Sequence, residues 1–413
     1  MVRAESGASP PPTGDEYLIA KFNEQWGYIQ KDFVRPIEDT PEAKRDCFEK
    51  TMSRGIGACL DDAHSSYHSA SAMRLMAEDQ SGEFFGIGAS LSYFYGEVMI
   101  DQLIDGSPAA LSGKLEPGDI IVGIDGEDVR EKPLNYVVKK IRGAAGTEVT
   151  LTIKRGGRTI EPVVLKRAKI ETPSVEFVKI DKRTALIKVS SFGDKTHWDF
   201  VKALGDAFPD MRSKADLAKK RLVIDLRNNP GGLLNVARNM SALFAGSLED
   251  VCVTEKMRSG EQVLRVGDFT SVADFQNSFA YVSKGLGILA KTPTVVLVNE
   301  HSASASEIFS GLLQQWGRAT VVGSRTYGKG SIQAVIPLAD GDGLRLTIAE
   351  YLVGDKRTKV NGVGITPDIL VENTPLCGDE FKAQRGKKKP LVDLAHDAQL
   401  KKALEVLRGV KKK

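Results

Sequence analysis

Residues 319–338 read "ATVVGSRTYGKGSIQAVIPL". The stretch comes close to a phosphate-binding loop: Gly323, four residues, Gly328, then Lys329. A strand-like run leads into it, and "LVID" ending at Asp225 resembles the acidic strand of a nucleotide site. Two features argue the other way. The hydroxyl residue that would reach Mg²⁺ is replaced by Gly330. A phosphate loop must also open a helix, whose N-terminal amides meet the phosphates. Here "SIQAVIPL" follows, alternating, β-branched and stopped by Pro337, which predicts a strand. Lys329 therefore has some other task.

Upstream, "VLVNEHSASASEIFSGLL" (296–313) reads as a buried strand, a turn of small residues and a helix. Ser302, Ser304 and Ser306 crowd that turn. A serine at a strand-to-helix turn is exposed near the positive helix end, where backbone N–H groups can hold a developing oxyanion. The bland alternative is that Ser302 and Ser306 cap the helix, with Glu307 in its first turn, and this is expected of at least one of them. A nucleophilic serine needs a base. The five histidines, His64, His68, His197, His301 and His396, stand in no motif that marks a triad base. A lysine can serve if its amine is neutral; its free pKa of ~10.4 falls by several units on burial. Lys329 lies between two glycines, which read as room for the side chain to turn inward, ahead of a strand. Residues 329, 331 and 333 share one face of that strand, so Gln333 is placed to orient the amine.

Working outward, residues 1–14 are rich in Pro, Gly and Ser and are expected to be disordered. Residues 15–80 form a helical region: Leu18, Phe22, Trp26, Ile29 and Phe33 make one stripe, and a second helix is expected over 46–60. His64 and His68 in "LDDAHSSYH" have helical metal-ligand spacing but no accompanying Glu, which favours a turn or packing role. Residues 81–168 form a compact module of strands with a short helix at "SPAALSG", an amphipathic helix "PLNYVVKKIRG", and two strands, "TEVTLTIKR" and "TIEPVVLKR". From 169 to 375 strands and helices alternate, which predicts a layered α/β core, with an irregular, strand-rich excursion or lid over 247–290. Residues 376–413 are a basic tail ending in a helix-like "DAQLKKALEVLRG".

The chain of 413 residues exceeds one ordinary domain. The net charge of +3 has much of its excess in "RGKKKP" and "GVKKK", so no broad basic face points to nucleic acid. Cys47, Cys59, Cys252 and Cys377 form no CxxC pair, which gives no support to a zinc or thioredoxin-type site and leaves the redox compartment open. The N-terminus lacks the apolar core of a signal peptide, and no run approaches the ~20 apolar residues of a membrane span. The expectation is a protein inside the cell, or a mature form whose leader is missing.

"SASASEI", "GRATVVGSRTYGKGSIQ" and "GVGITPDI" together resemble the carboxy-terminal processing (tail-specific) protease family. "DLRNNPGG" (225–232) resembles its strand-turn, "EFFGIGASL" and "SPAALSGKLEPGDIIVGIDG" its PDZ domain, and "LDDAHSSY" and "DAQLKKALEVL" its flanking segments. The resemblance runs in order over residues 15–410. It implies an α/β multidomain protein: a ClpP/crotonase-like protease core with an inserted PDZ domain and helical segments at both ends. It places the nucleophile at Ser304, the general base at Lys329 and the third residue at Gln333, and makes Ser302 and Ser306 structural. The oxyanion donors it implies are the N–H of Ala305 and of Gly231 or Gly232, with Gly231 preferred. His301 stands where the family usually has a small residue, and "LDDAHSSY" has Asp-Ala where the family tends to have a single Pro.

The expected activity is endoproteolysis near the C-terminus of protein substrates, without a cofactor or metal. A substrate tail would add as a strand to the PDZ groove, its carboxylate meeting N–H groups of Phe85, Gly86, Ile87 and Gly88. Val138 and Ile141 would favour an apolar tail, and Arg142 would couple the PDZ to the active site. The resemblance also implies an exported, periplasm-like location, homodimers or larger assemblies, and a regulatory adaptor. The competing readings are an inactive PDZ scaffold, a nucleotide-binding enzyme, and a hydratase of the related crotonase fold.

Overall fold

The computed structural model describes residue 23 and residues 40–81, 83–94, 96–171, 173–210, 213–269, 287–338, 341–372 and 392–409. The apolar stripe from Leu18 to Phe33, the first 14 residues and Cys377 lie outside the described residues. The chain divides into two units, Met1–Met73 with Gln333–Thr347, and Arg74–Ile332 with Ile348–Lys413.

In the first unit the helix expected from residue 46 begins earlier, as Pro41–Leu60. The cause is local: the Thr40 hydroxyl accepts the Ala43 N–H at 3.1 Å, and Pro41 occupies the first turn, where its missing N–H costs nothing. Asp61, left-handed at φ 49°, ends it. His64 then falls in a turn and His68 on the strand Ser66–His68, so their spacing is not helical. That strand pairs antiparallel with residues 343–345. Asp342 accepts the Ala70 N–H at 2.8 Å and the Tyr67 hydroxyl.

The second unit contains a β-rich module and an α/β core. The helix Ala70–Ser81, which sequence patterning missed, leads into the module. There the strands run Ala89–Phe94, Glu97–Leu103, Ile120–Ile124, Glu148–Arg155 and Arg158–Thr159 in sheet order, with Glu127–Asp128 pairing Ile120–Ile124 and Val163–Lys166 pairing Glu148–Arg155. "TIEPVVLKR" is thus two strands, broken around Pro162, which has no N–H to give a ladder. Ile100, Ile121, Leu151 and Val137 are fully enclosed in its core. Entry strand Glu83–Gly86 and exit strand Ala168–Glu171 pair antiparallel at its neck.

The core sheet has the order Val175–Lys179, Thr184–Val189, Arg221–Asp225, Thr294–Val298, Thr320–Gly323, Ile369–Leu370, parallel after its first pair. Both faces are covered. Ile224, Val296 and Val298 pack with Phe309 and Leu313 on one side, while Val223, Val295, Leu297 and Val322 meet Leu400 and Leu404 of the C-terminal helix Ala398–Leu407 on the other. Burial on two faces explains why these strands read as unbroken apolar runs. The excursion expected over 247–290 opens with a hairpin, Val251–Met257 with Gly260–Arg265, whose first strand also pairs residues 349–353, while 270–286 lie outside the described residues. Helix Ala305–Gln315 lies between this layer, through Ile308 and Leu312, and the core sheet, through Ala305 and Phe309; residues 305–313 are all buried. Among the described residues no helix is long and apolar enough to cross a membrane, and no group of three or more His, Cys, Asp or Glu is placed to hold a metal.

Candidate active site and peptide groove

Three neighbouring parallel strands, Arg221–Asp225, Thr294–Val298 and Thr320–Gly323, end side by side. Their following loops, 226–232, 299–304 and 324–330, meet at their carboxyl ends, where open α/β sheets place their sites. Ser304 stands at the turn into helix Ala305–Gln315 with φ 55° and ψ −114°, a strained conformation for a residue with a Cβ. It is the N-cap residue and pairs with Glu307 as a capping box. Ser302 and Ser306, of which at least one was expected to cap the helix and which the resemblance made structural, tie two loops together. Ser302 Oγ donates to Leu226 O at 2.8 Å and Ser306 Oγ to Asn229 O at 3.0 Å, tying the serine turn to the 226–232 loop.

The cap is Glu307. Its carboxylate is wholly buried and accepts four hydrogen bonds. Oε2 takes the N–H of Ser304 and the N–H of Lys329, each at 2.8 Å; Oε1 takes the Thr326 hydroxyl at 2.6 Å and the Gly328 N–H at 2.7 Å. Two donors on each oxygen fill a carboxylate's lone-pair positions. One oxygen thus holds the backbone of Ser304 and of Lys329, 25 positions apart in the chain, against a common point. Burial pushes the Glu307 carboxyl above its usual range, against the pull of those four donors.

The glycines beside Lys329 answer to packing. A Cβ on Gly330 would strike the Asn361 backbone, and Gly328, at φ +93°, lies against 362–364, with its carbonyl accepting the Gly362 N–H at 2.9 Å. They seat the loop on a neighbouring turn, a different reason from space for the lysine side chain. Gln333 falls in the first unit, where its amide donates to Thr347 Oγ1 at 3.1 Å and accepts from Arg345 at 3.4 Å.

The 226–232 loop closes another side of the serine. Gly231, at φ +104°, lies so close that a Cβ there would sit 2.8 Å from Ser304 Cβ and 3.0 Å from Ala305 N. The Gly231 N–H donates to Asn229 Oδ1 at 2.9 Å, and its carbonyl accepts the Phe192 N–H at 2.9 Å. In a trans peptide the N–H lies opposite the C=O, so the Gly232 N–H points away from Phe192. Among the described residues neither the Gly232 nor the Ala305 N–H donates a hydrogen bond. Asp225, the supposed nucleotide-site acid, is paired with Arg227 at 2.6 Å, and Arg227 also reaches Asp397 at 2.8 Å, the cap of the C-terminal helix. His301 is exposed, 3.7 Å from Glu300.

In the β-rich module, Phe84, Gly86, Ile87, Gly88, Ala89, Leu91, Val138, Ile141 and Arg142 line a pocket of about 190 Å³. Phe85 is not in it. On strand Glu83–Gly86 alternate residues face opposite ways, so Phe84 and Gly86 take the groove and Phe85 turns to solvent. The N–H groups of Ile87 and Gly88 donate to nothing among the described residues. Arg142 lies 4.6 Å from the Phe84 ring and 3.2 Å from Glu78 in the helix that enters the module. Gly88, at φ +75°, leaves no space for a Cβ, which would meet Ser107. Gly88→Ala is expected to destabilise the module by more than about 1 kcal/mol and to abolish tail-peptide binding, read by unfolding curves and peptide anisotropy.

The fold and the strained serine define a class: a mixed α/β protein laid out as a serine peptidase, with a PDZ domain before its catalytic core. Peptidase family S41 matches residues 183–371 and a PDZ domain residues 99–155. The carboxy-terminal-processing protease of Bartonella bacilliformis is 37% identical over 363 residues, covering 86% of this chain and 75% of that protein. A probable CtpA-like serine protease of Staphylococcus saprophyticus is 33% identical over 83% of this chain; the chain spans 66% of that relative's length, just under two-thirds. A crystal structure described as an S41 protease of Bacteroides fragilis shares the fold, with TM-score 0.53 over 98% of this chain and 100% of that one at 16% identity. The chain belongs to Peptidase family S41, among the carboxy-terminal-processing proteases.

Glu307 and Tyr351, whose contacts shape the site, were not singled out by sequence reasoning. Ser304-x-x-Glu307 is a capping-box pattern and carried a usable signal. Tyr351 carried none.

Proposed function

We propose that this chain is a serine endopeptidase that cleaves protein substrates near their C-terminus, with Ser304 as nucleophile and Lys329 as general base. The observation that carries the reading is the single Glu307 oxygen that holds the backbone of both residues, with Ser304 in a strained conformation at the turn into the helix. Lys329, with its amine neutral, takes the Ser304 proton as Oγ attacks the scissile carbonyl. The N–H groups of Ala305 and Gly232 stabilise the tetrahedral oxyanion, the Gly231 N–H being committed to Asn229. The protonated amine then passes its proton to the leaving nitrogen, and water hydrolyses the acyl-serine. Gln333, assigned by resemblance, orients the amine. The parallel sheet with the nucleophile at a helix N-terminus supports a ClpP/crotonase-like core. The apolar pocket and the undonated Ile87 and Gly88 N–H groups support capture of an apolar tail by its carboxylate, with Arg142 relaying occupancy. An exported location, homo-oligomers and a regulatory adaptor belong to the same proposal.

The test is cleavage of an unfolded substrate carrying an apolar C-terminal tail, beside the same substrate with its carboxylate amidated. Tail-dependent cleavage and labelling of Ser304 by an acyl-serine probe are expected. The rate should fall on acidification as Lys329 protonates. Absence of labelling favours an inactive scaffold, and a flat profile between about pH 5 and 9 removes the lysine base.

A further inference from the structure

Glu307 holds Ser304 and Lys329 by their N–H groups. A second side chain meets the same two residues at their carbonyls. The Tyr351 hydroxyl lies 2.6 Å from Lys329 O and 3.2 Å from Ser304 O. Its own N–H donates to Gly330 O at 2.9 Å. Tyr351 sits on strand Gly343–Val353, opposite Glu255, with its ring enclosed among Ile308, Leu312 and Val353. A phenol has one proton, so the shorter bond, to Lys329, takes most of it. Ser304 O has other donors, the N–H groups of Glu307 at 2.8 Å and Ile308 at 3.0 Å.

We infer that Tyr351 is a positioning residue for the Ser304–Lys329 pair, fixing the lysine loop against the serine turn. This rests on the function proposed above. Burial raises the Tyr351 hydroxyl well above its usual value, so it stays a donor throughout the neutral and alkaline range. The fold loses little without it, because the aromatic ring supplies the packing and one hydrogen bond is worth only ~1 kcal/mol. Catalysis loses more, since small misplacements of reacting groups cost on the order of 100-fold.

The experiment is Tyr351→Phe, with Tyr351→Met as a second filling that also lacks the donor. Both are assayed at a temperature where circular dichroism shows them folded. The expected result is a kcat lowered roughly 10- to 100-fold, KM within about twofold, and Ser304 labelling by an acyl-serine probe slowed in parallel. Tail-peptide affinity should be unchanged. Wild-type kcat and labelling in Tyr351→Phe would overturn this inference alone. Cleavage by Ser304→Ala would instead overturn the function beneath it. If neither variant folds, Tyr351 is a packing residue and the inference is wrong.

Discussion

Ser304→Ala is expected to leave a folded protein that binds tail peptides and cleaves nothing. The loss should be on the order of 10⁶ in kcat, the scale seen when a serine nucleophile is removed. The structure argues that this loss would be chemical. The Glu307 carboxylate on the Ser304 N–H, the half of the capping box that ties the serine turn down, is retained by alanine. Alanine at φ 55° carries the same backbone strain as serine, so the stability change should stay near the ~1 kcal/mol of a lost N-cap side chain, far too little to unfold the core. The PDZ pocket is built from other residues and keeps its affinity. Mass-spectrometric detection of products, with wild type and variant matched by melting curves, checks the result. A variant that still cleaves a tail-bearing substrate removes Ser304 from the mechanism.

Much of this was readable in the chain because the signals were local. Pro337 and the β-branched run of "SIQAVIP" gave the strand after Lys329, and with it the rejection of a phosphate loop. The small-residue turn between an apolar strand and an apolar helix marked three serines, and the family resemblance chose Ser304 among them. Errors arose where a residue's role depends on a neighbour distant in sequence. A capping role was expected of at least one of Ser302 and Ser306 because their partners, Leu226 and Asn229, lie on the loop of an adjacent strand, and strand order is not written locally. Gly330 looked like room for a side chain because Asn361, which excludes a Cβ there, is 31 residues away. Phe85 was expected to take part through its backbone N–H; its side chain turns to solvent, and the two-residue period of the strand puts Phe84 and Gly86 on the pocket instead. Tyr351 is joined to Ser304 across 47 positions with no pattern between them.

Glu307→Gln has the next largest expected effect, a fall in kcat of about 100-fold or more. Glutamine has the same shape but one acceptor oxygen. Facing either way, its NH₂ meets donors that the carboxylate satisfied. With the amide nitrogen toward Thr326 the hydroxyl can rotate to accept, but the Gly328 N–H is left facing another N–H; the opposite orientation strands the N–H groups of Ser304 and Lys329. A buried donor left unmade costs about 1–3 kcal/mol. Against this, the variant no longer buries a charge, and the upward push on the Glu307 carboxyl shows that ionising it is unfavourable in the folded protein. The two effects oppose, so the melting temperature should move only a few degrees while the geometry at Ser304 and Lys329 is lost. The sign of the pH dependence separates them. With the folded value raised above the ordinary 4.5, the native state binds more protons than the unfolded state just above that pH. The Glu307 contribution is then fully present below 4.5 and is lost as pH rises through the folded value. Activity should run the other way, because protonation turns an acceptor oxygen into a donor and releases the clamp. Acidification in this window should therefore lower wild-type kcat while the stability of wild type rises relative to Glu307→Gln. Unfolding curves and kcat measured on both proteins across the window test it. Parallel stability curves, or a variant with wild-type kcat, would show that the buried carboxylate holds neither residue in place.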